Sequence, residues 1–513
     1  MGDYHSRVSE GPELVIGFVG AIGTDLASVS DSLQRHLSSV GYSSSEIRVS
    51  ALLHDIERYA HLAEIQDQEA YYDEHMSAGN ALCERLERSD AMALLAVLQL
   101  RTFREERNSA NGQESAAPFR RHAFIINSLK RKDEITALRR VYGDGFILLG
   151  AYAARDRRLE TLATRIARSQ NKEAHECRHI AERLIARDEA ERADFGQDVS
   201  HTFFRADAFV DATERPLADD AIRRFVEVVF GHPFATPTRE ELGMQHAFSA
   251  ALRSADLSRQ VGAAITTDDG QILAVGTNDV PKAGGGMYWP GPYDYRDFRF
   301  AETDEPNAEM KRVILADLLV RLRDEKFLAE DVKLDDAKIA EIGRKLKDSR
   351  LMSITEYGRM VHAEMAAITD AARRGVSVAG ARLFCTTFPC HNCAKHIVAA
   401  GLHEVIYIEP YPKSQVALLF SDSIALDRRP TENQMVFSSF VGFAPTRFAD
   451  LFQMSKRVDD QKHILKWEEI RTTALPRISG IPTAYLTEEE SAIETLSERM
   501  VAKSISFKKG GDT

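Results

Sequence analysis

Cysteine is scarce in this chain of 513 residues, and the five present, Cys83, Cys177, Cys385, Cys390 and Cys393, form no spaced framework. An odd count with one tight pair excludes a disulfide scaffold and points to a reducing compartment. Long apolar runs are missing as well. The most apolar stretch, Ala91 to Leu100, is far too short to span a bilayer, and nothing at the N-terminus has the basic and apolar character of a signal peptide. A cytoplasmic protein without membrane partners is expected. Met1 to Ser6 fits the minimal N-myristoylation pattern, but no polybasic stretch supports it. Positive charge is in deficit too: a formal net charge of −12 argues against a chain whose main business is coating duplex nucleic acid. A local exception holds Arg120, Arg121, Lys130, Arg131, Lys132, Arg139, Arg140, Arg155, Arg157 and Arg158. Such a run is usually a solvated face; nucleotide phosphates or a single-stranded RNA are the sharper readings.

What remains is an ordinary globular composition, long enough for two to four domains. Leu14 to Val19 reads as a buried strand, followed by a glycine-containing turn and a helix that opens at Thr24 or Asp25 and runs to about Val40. Strand, glycine turn and helix form a phosphate-cradle layout. Strands at 123–126 and 146–149 flank a helix near Asp133 to Tyr142, and 206–210 adds another strand, so an open α/β sheet is expected. A boundary falls at Gly231 to Pro237. We expect a first domain over 1–235, a second over 236–470 and a tail over 471–513.

In the second domain a helix from Met244 to Ala255 precedes two strands, Gln260 to Thr266 and Gln271 to Gly276, joined at Asp268-Asp269-Gly270. An insertion at about 282–350 carries Gly284 to Gly286, Tyr288, Trp289 and a charged helical stretch. Helix Val361 to Arg374, strand Arg382 to Thr386, helix Cys390 to Ala400 and strand Glu404 to Ile408 then make a βαβ unit. The tail has weak apolar periodicity, and its last ten residues read as disordered.

That βαβ unit carries His362-Ala363-Glu364 and, after 24 residues, Pro389-Cys390-His391-Asn392-Cys393. One His and two Cys suit zinc, and they leave a fourth corner free for a water whose pKa the metal lowers to about 7. Pro389 suits the start of a helix, which puts Cys390 and Cys393 on one face of its first turn, where the positive helix end favours thiolates. Glu364 is placed to move protons without being a ligand. A structural zinc site would need a fourth protein ligand, and Cys385, His391 and His396 are close in sequence. Cys385, however, reads as a small buried hydrophobe in an apolar strand, and the combined spacing is that of the H-x-E…P-C-x-x-C base deaminases.

With Arg259-Gln260-Val261-Gly262-Ala263, Gly276-Thr277-Asn278-Asp279-Val280-Pro281 and Thr386 to Lys395, the region from about Gln245 to Tyr411 resembles the deoxycytidylate deaminase branch of the cytidine-deaminase superfamily. The resemblance implies a cytidine-deaminase-like α/β/α domain with a mixed five-stranded sheet and one Zn²⁺ per chain held by His362, Cys390 and Cys393. It further implies Glu364 as proton shuttle and Asn278 on the substrate's sugar. The expected chemistry is hydrolytic: zinc-activated water attacks C4 of cytosine, Glu364 carries a proton from the water to N3, and ammonia leaves. The expected partners are deoxycytidine nucleotides, dCMP, dCTP or both, and oligomers are implied.

Glu13 to Asp25 and Leu138 to Gly143 resemble the nucleoside-monophosphate-kinase-like domain of bacterial antiphage deaminases. Those proteins are implicated in depleting deoxycytidine nucleotides during infection, and some are held inactive by a small RNA. The first domain is therefore expected to be a P-loop kinase-like open α/β sheet, with Gly17, Gly20, Gly23 and Thr24 as weak nucleotide-binding candidates. It departs from a working P-loop. With Gly17 as the first glycine, Ile22 stands where the second belongs and Gly23 where lysine belongs, leaving Thr24 as the hydroxyl. Without that lysine a degenerate regulatory or scaffold domain is expected, a bifunctional kinase-deaminase being one alternative. A single-stranded nucleic-acid base deaminase is the other. Smaller signals are Lys413 and Arg447 as phosphate contacts, Tyr288 and Trp289 as a lid, and His391 at the mouth of the site.

Overall fold

The five apolar or edge segments β1 (Leu14–Val19), β2 (Ser43–Arg48), β3 (His122–Leu129), β4 (Phe146–Tyr152) and β5 (Ala208–Asp211) run parallel in the order β5-β4-β1-β3-β2. They belong to a computed structural model that describes residues 11–112, 116–189, 191, 195–300, 305–329, 332–347, 349–354, 356–411, 413–426, 430–453, 456–477 and 485–508. The N-terminal acylation pattern and the last five residues of the tail lie outside the described residues. Every residue of β1 is buried, as a central parallel strand requires. The helix Leu26–Ser39 follows, capped by the Asp25 carboxylate on the Ser28 N–H, and its Leu33 and Leu37 share a core with Ile222, Phe225 and Val226 of the helix Arg215–Val229. Sequence periodicity missed β2 because it is an edge strand: of Ser43 to Arg48 only Ile47 is buried.

A second unit spans 242–438. Its strands are β6 (Gly262–Thr266), β7 (Ile272–Thr277), β8 (Arg382–Thr387), β9 (Glu404–Glu409), β10 (Ile424–Leu426) and β11 (Met435–Ser439), in the order β10-β11-β9-β8-β6-β7. β6 runs antiparallel to β7 and β8, whereas β8 with β9 and β10 with β11 are parallel. The sheet has six strands where five were expected. The addition is three residues long and lies past the ligand-bearing unit, too short to show a period of its own.

The domain limits also differ from the expectation. Residues 439–470, assigned by sequence to the second domain, group with the first unit, as does the tail. The reason is β12 (Gly442–Phe443), which pairs antiparallel with β5 and gives the first sheet its sixth strand. Phe443 stacks on Phe225 at 5.8 Å, and its N–H donates to the Glu241 carboxylate at 3.0 Å. In the tail the helix Tyr485–Ala502 is ordered against the first unit. Its anchor is charged. The fully buried Arg104 guanidinium donates to Glu13 at 2.7 Å and to Glu489 at 2.9 Å, while the Tyr485 hydroxyl donates to Glu13 at 3.1 Å. The buried face of this helix mixes Ala492, Leu496 and Met500 with Tyr485 and the charged Glu489, so its apolar stripe is short and interrupted by a carboxylate.

Two glycines position the second unit's helices. A Cβ on Gly262 would lie 1.9 Å from the Ala247 carbonyl oxygen in the helix Arg239–Ala251. One on Gly276 would lie 2.1 Å from the Ala363 oxygen and 2.4 Å from the Ala367 nitrogen in the helix Ala363–Arg374. Backbone therefore packs on backbone, and any side chain there forces the helix off the sheet. Gly276→Ala is expected to destabilise the unit by roughly 1–3 kcal/mol, a fall in Tm of about 5 °C by calorimetry. An unchanged Tm would mean that the helix position is not set by this contact.

Candidate metal centre

The helix seated by Gly276 begins next to the chemistry. His362 is its N-cap, in extended conformation at φ −63° and ψ 151°, and Glu364 lies in the first turn. The helix His391–Ala399 starts at the carboxyl end of β8 with Cys390 as its N-cap, one residue later than the sequence suggested, so Pro389 precedes the helix instead of opening it. The Cys390 sulfur accepts the Cys393 N–H at 3.4 Å. Both sulfurs lie 3.3 Å from His362 Nδ1, and the three ligand atoms fall within 4.8 Å of one another. A tetrahedral zinc ion with ordinary bond lengths separates sulfur from nitrogen by about 3.6 Å. The cluster fits zinc. Among the described residues no fourth His, Cys, Asp or Glu joins it: Cys385 is wholly buried on β8, and His391 and His396 stay outside.

Electrostatics bias the cluster toward a cation. The hydrogen bond from Cys393, with help from His362, holds the Cys390 thiol down to about 4. Cys390 in turn holds the His362 imidazole up to about 8. A divalent cation between the same atoms would be favoured by the thiolate that this environment stabilises. Glu364 is 4 % exposed, and burial pushes its carboxyl above the usual range. A carboxyl that passes easily between charged and neutral forms suits proton transfer. Burial likewise pushes the Cys385 thiol up, which keeps it a neutral packing group.

A cavity of about 160 Å³ opens over this cluster, with Glu364, His362 and Cys390 on its floor and Asn278 and Arg259 in its wall. Asn278 is 3 % exposed and pins the wall itself. Its Oδ1 accepts the Val261 N–H and its Nδ2 donates to the Arg259 carbonyl, both at 2.7 Å. Arg259, to which sequence reasoning gave no role, is half-exposed at the rim, 3.3 Å from Glu409 and with its guanidinium 5.6 Å from the Tyr411 ring centre. Its place beside the Val261-Gly262 strand start was the available signal.

The smaller sequence signals fall elsewhere. Neither Tyr288 nor Trp289 lines the cavity: the Trp289 ring lies 4.0 Å under the Arg253 guanidinium, and Tyr288 packs edge-on against Tyr295. Lys413 and His391 do not line it either. Arg447 is held in the first unit by Asp207 at 3.2 Å and the Phe146 carbonyl at 3.1 Å. Much of the basic stretch serves the fold there. Arg121 donates to the carbonyls of Val40 and Thr472, Arg131 pairs with Glu134, Arg139 with Asp207 and Arg158 with Glu189. In the glycine turn, Gly20, Gly23 and Thr24 border a second cavity, whereas Gly17 lies inside β1, where a Cβ would meet Leu129 at 2.7 Å and Phe146 at 2.8 Å.

Residues 237–409 match the family described as the cytidine and deoxycytidylate deaminase zinc-binding region. Deoxycytidylate deaminase of Enterobacteria phage T2 is 36% identical over 85 residues, which are 16% of this chain and 45% of that protein. The mouse deoxycytidylate deaminase is 30% identical over 168 residues, 33% of this chain and 63% of that protein. The chain thus spans less than two thirds of either relative. A solved dCMP deaminase from the cyanophage S-TIM5, in complex with dCMP and dUMP, shares 20% identity over 38% of this chain and 92% of its own, with a TM-score of 0.22. Zinc is the cofactor of the matched family region, and the cluster offers it three ligands. Metal analysis of the purified protein is expected to find roughly one zinc per chain, falling at least about tenfold in Cys390→Ser and unchanged in His396→Ala. Retention of zinc by Cys390→Ser would exclude this ligand set.

Proposed function

We propose that the second unit hydrolyses the exocyclic amine of deoxycytidine nucleotides, converting dCMP, dCTP or both to the uracil nucleotide and ammonia. The observation that carries this reading is the buried Glu364 carboxyl beside a His-Cys-Cys cluster at the bottom of a cavity with an arginine at its rim. The matched family region and the phage and mouse relatives support it.

Zinc held by His362, Cys390 and Cys393 supplies Lewis acidity that lowers the pKa of water at the site. The chain's own residues do the rest. Glu364 accepts the proton that the attacking water loses as its oxygen bonds to C4 of cytosine, and passes it to ring N3. A second transfer through the same carboxyl moves the proton of the new C4 hydroxyl to the amino group, the C4–N bond breaks as the C4 carbonyl forms, and ammonia carries the nitrogen away. Water and cytosine are consumed; uracil and ammonia are formed. Asn278 acts by holding the Arg259 to Val261 backbone in place, and Arg259 offers the rim charge that a 5′-phosphate needs.

The same proposal assigns the chain to antiphage defence by nucleotide depletion, with the first unit as its regulator. The similarity of Glu13 to Asp25 and Leu138 to Gly143 to antiphage deaminases supports that part.

Glu364→Gln is expected to lower kcat by roughly 10²–10⁴-fold on dCMP and dCTP, with zinc content and Tm unchanged and phage protection lost in cells. Near-normal ammonia release by the variant would end the assignment. Arg259→Ala is expected to raise KM for the phosphorylated substrate by roughly tenfold or more, with little change for deoxycytidine. An equal effect on both would remove Arg259 from phosphate recognition.

A further inference from the structure

The glycine turn of the first unit already holds an anion of its own. Asp188, on the helix Arg178–Glu189, is fully buried. One of its carboxylate oxygens accepts the Ile22 N–H at 2.7 Å, and the other accepts from the Lys130 ammonium at 2.8 Å. Lys130 also donates to the Gly20 carbonyl at 3.0 Å. In a cradle made of strand, glycine turn and helix, a loop amide and a lysine are the donors a phosphate oxygen would use. Here a carboxylate uses them.

Beside Asp188 lies a cavity of about 210 Å³, past the carboxyl ends of β1 and β3. The strand order reverses at β1, the position where open parallel sheets receive ligands. The cations in its wall are all matched by carboxylates: Lys130 by Asp188, Arg131 by Glu134 at 3.1 Å, and Arg165 by Asp25 at 3.6 Å. Two uncharged groups in the wall are not matched. The Thr24 hydroxyl and the Gln197 side-chain oxygen are buried, at 7 % and 8 % residue exposure, and neither has a partner. Tyr71, Tyr72 and Met76 add flat or apolar surface to the lining.

These features select by charge. A phosphorylated ligand would find the loop amide taken, the cations neutralised and the fully buried Asp188 carboxylate at close range. A neutral planar ligand with N–H donors meets none of these costs. It also satisfies the two orphaned groups, whose burial without partners is unfavourable. We propose that this cavity binds an unphosphorylated nucleoside, its ring against the tyrosines and its N–H edge on Gln197, and that Asp188 excludes the 5′-phosphorylated form. The site is separate from the deaminase reading and does not depend on it.

Gly79, in the helix Gln68–Leu86, provides a direct test, because it borders the cavity and a Cβ there meets nothing within 4 Å. Gly79→Leu fills the cavity without a backbone clash. Titration calorimetry on the full chain would compare adenosine, guanosine and thymidine with their 5′-monophosphates and with inorganic phosphate. At least one nucleoside is expected to bind about tenfold or more tightly than its monophosphate, and Gly79→Leu is expected to weaken it by at least about tenfold while leaving the deamination rate unchanged. Asp188→Asn is expected to raise monophosphate affinity by about tenfold or more. Absence of nucleoside binding, equal or tighter binding of the monophosphate by the unmodified chain, or unchanged binding in Gly79→Leu would each overturn the proposal. If Asp188→Asn does not fold, the other two comparisons decide.

Discussion

Backbone meets backbone where β7 passes the helix that starts at Ala363, because Gly276 puts no side chain between them. The remaining geometry of the second unit follows from that contact. The helix is held at its first turns, so His362 and Glu364 have little freedom to shift relative to the sheet. Strand β8 joins the same sheet through β6, with Cys385 opposite Ala263, and it delivers Cys390 and Cys393 at its carboxyl end. Two helix N-termini thus converge from neighbouring parts of one sheet, one bringing nitrogen and carboxylate, the other bringing sulfur. Positive helix ends beside thiolate ligands lower the cost of gathering negative charge in a buried place. Alanine at 363, 366, 367 and 371 keeps the buried side of the first helix thin enough for the contact.

The chemistry-bearing residues were legible in the sequence because the reaction restricts identities and spacings at once: His, Glu and two Cys on the starts of two helices. Central strands were legible for a related reason, since burial on both faces leaves a short apolar run such as Leu14 to Val19. The parts that escaped notice have buried surfaces that are polar or very short. β2 begins with three serines, and β10 has three residues. The tail helix is tied down by Arg104 between Glu13 and Glu489, a contact between residues nearly 400 positions apart at its widest, which no local pattern encodes. The return of 439–470 to the first unit is of the same kind, for it rests on long-range contacts: a two-residue pairing with β5, Phe443 against Phe225, Arg447 on Asp207, and Leu451 and Trp467 in the first unit's core.

Asn278 and Arg259 show how family resemblance and geometry divide the work. Resemblance places Asn278 on a sugar; in the structure its amide is engaged by the two backbone groups that shape the cavity wall. Both amide atoms are then part of the wall's rigidity, and a contact with substrate would have to share them. Arg259 is the opposite case. Its guanidinium leans on Tyr411 and pairs with Glu409 at a half-exposed rim, where an incoming anion can compete for it at modest desolvation cost.

Charge matching gives the two units contrasting characters. In the second, three ligand atoms are gathered within 4.8 Å of one another, an arrangement that suits a cation. In the first, several elements that could attract an anion are answered from within: Asp188 on Ile22 and Lys130, Glu134 on Arg131, Glu189 on Arg158, and carbonyls on Arg121. The run of basic residues is therefore only in part a basic surface: Lys132, Arg140, Arg155 and Arg157 are exposed, while an RNA-binding reading built on Arg120 to Arg158 loses the side chains that pair internally. In the wall of the cavity beside the glycine turn, the unanswered groups are the uncharged Thr24 hydroxyl and Gln197 side-chain oxygen. Any signal the first unit reads through this cavity must be carried by shape and neutral hydrogen bonds, because its charges are already balanced.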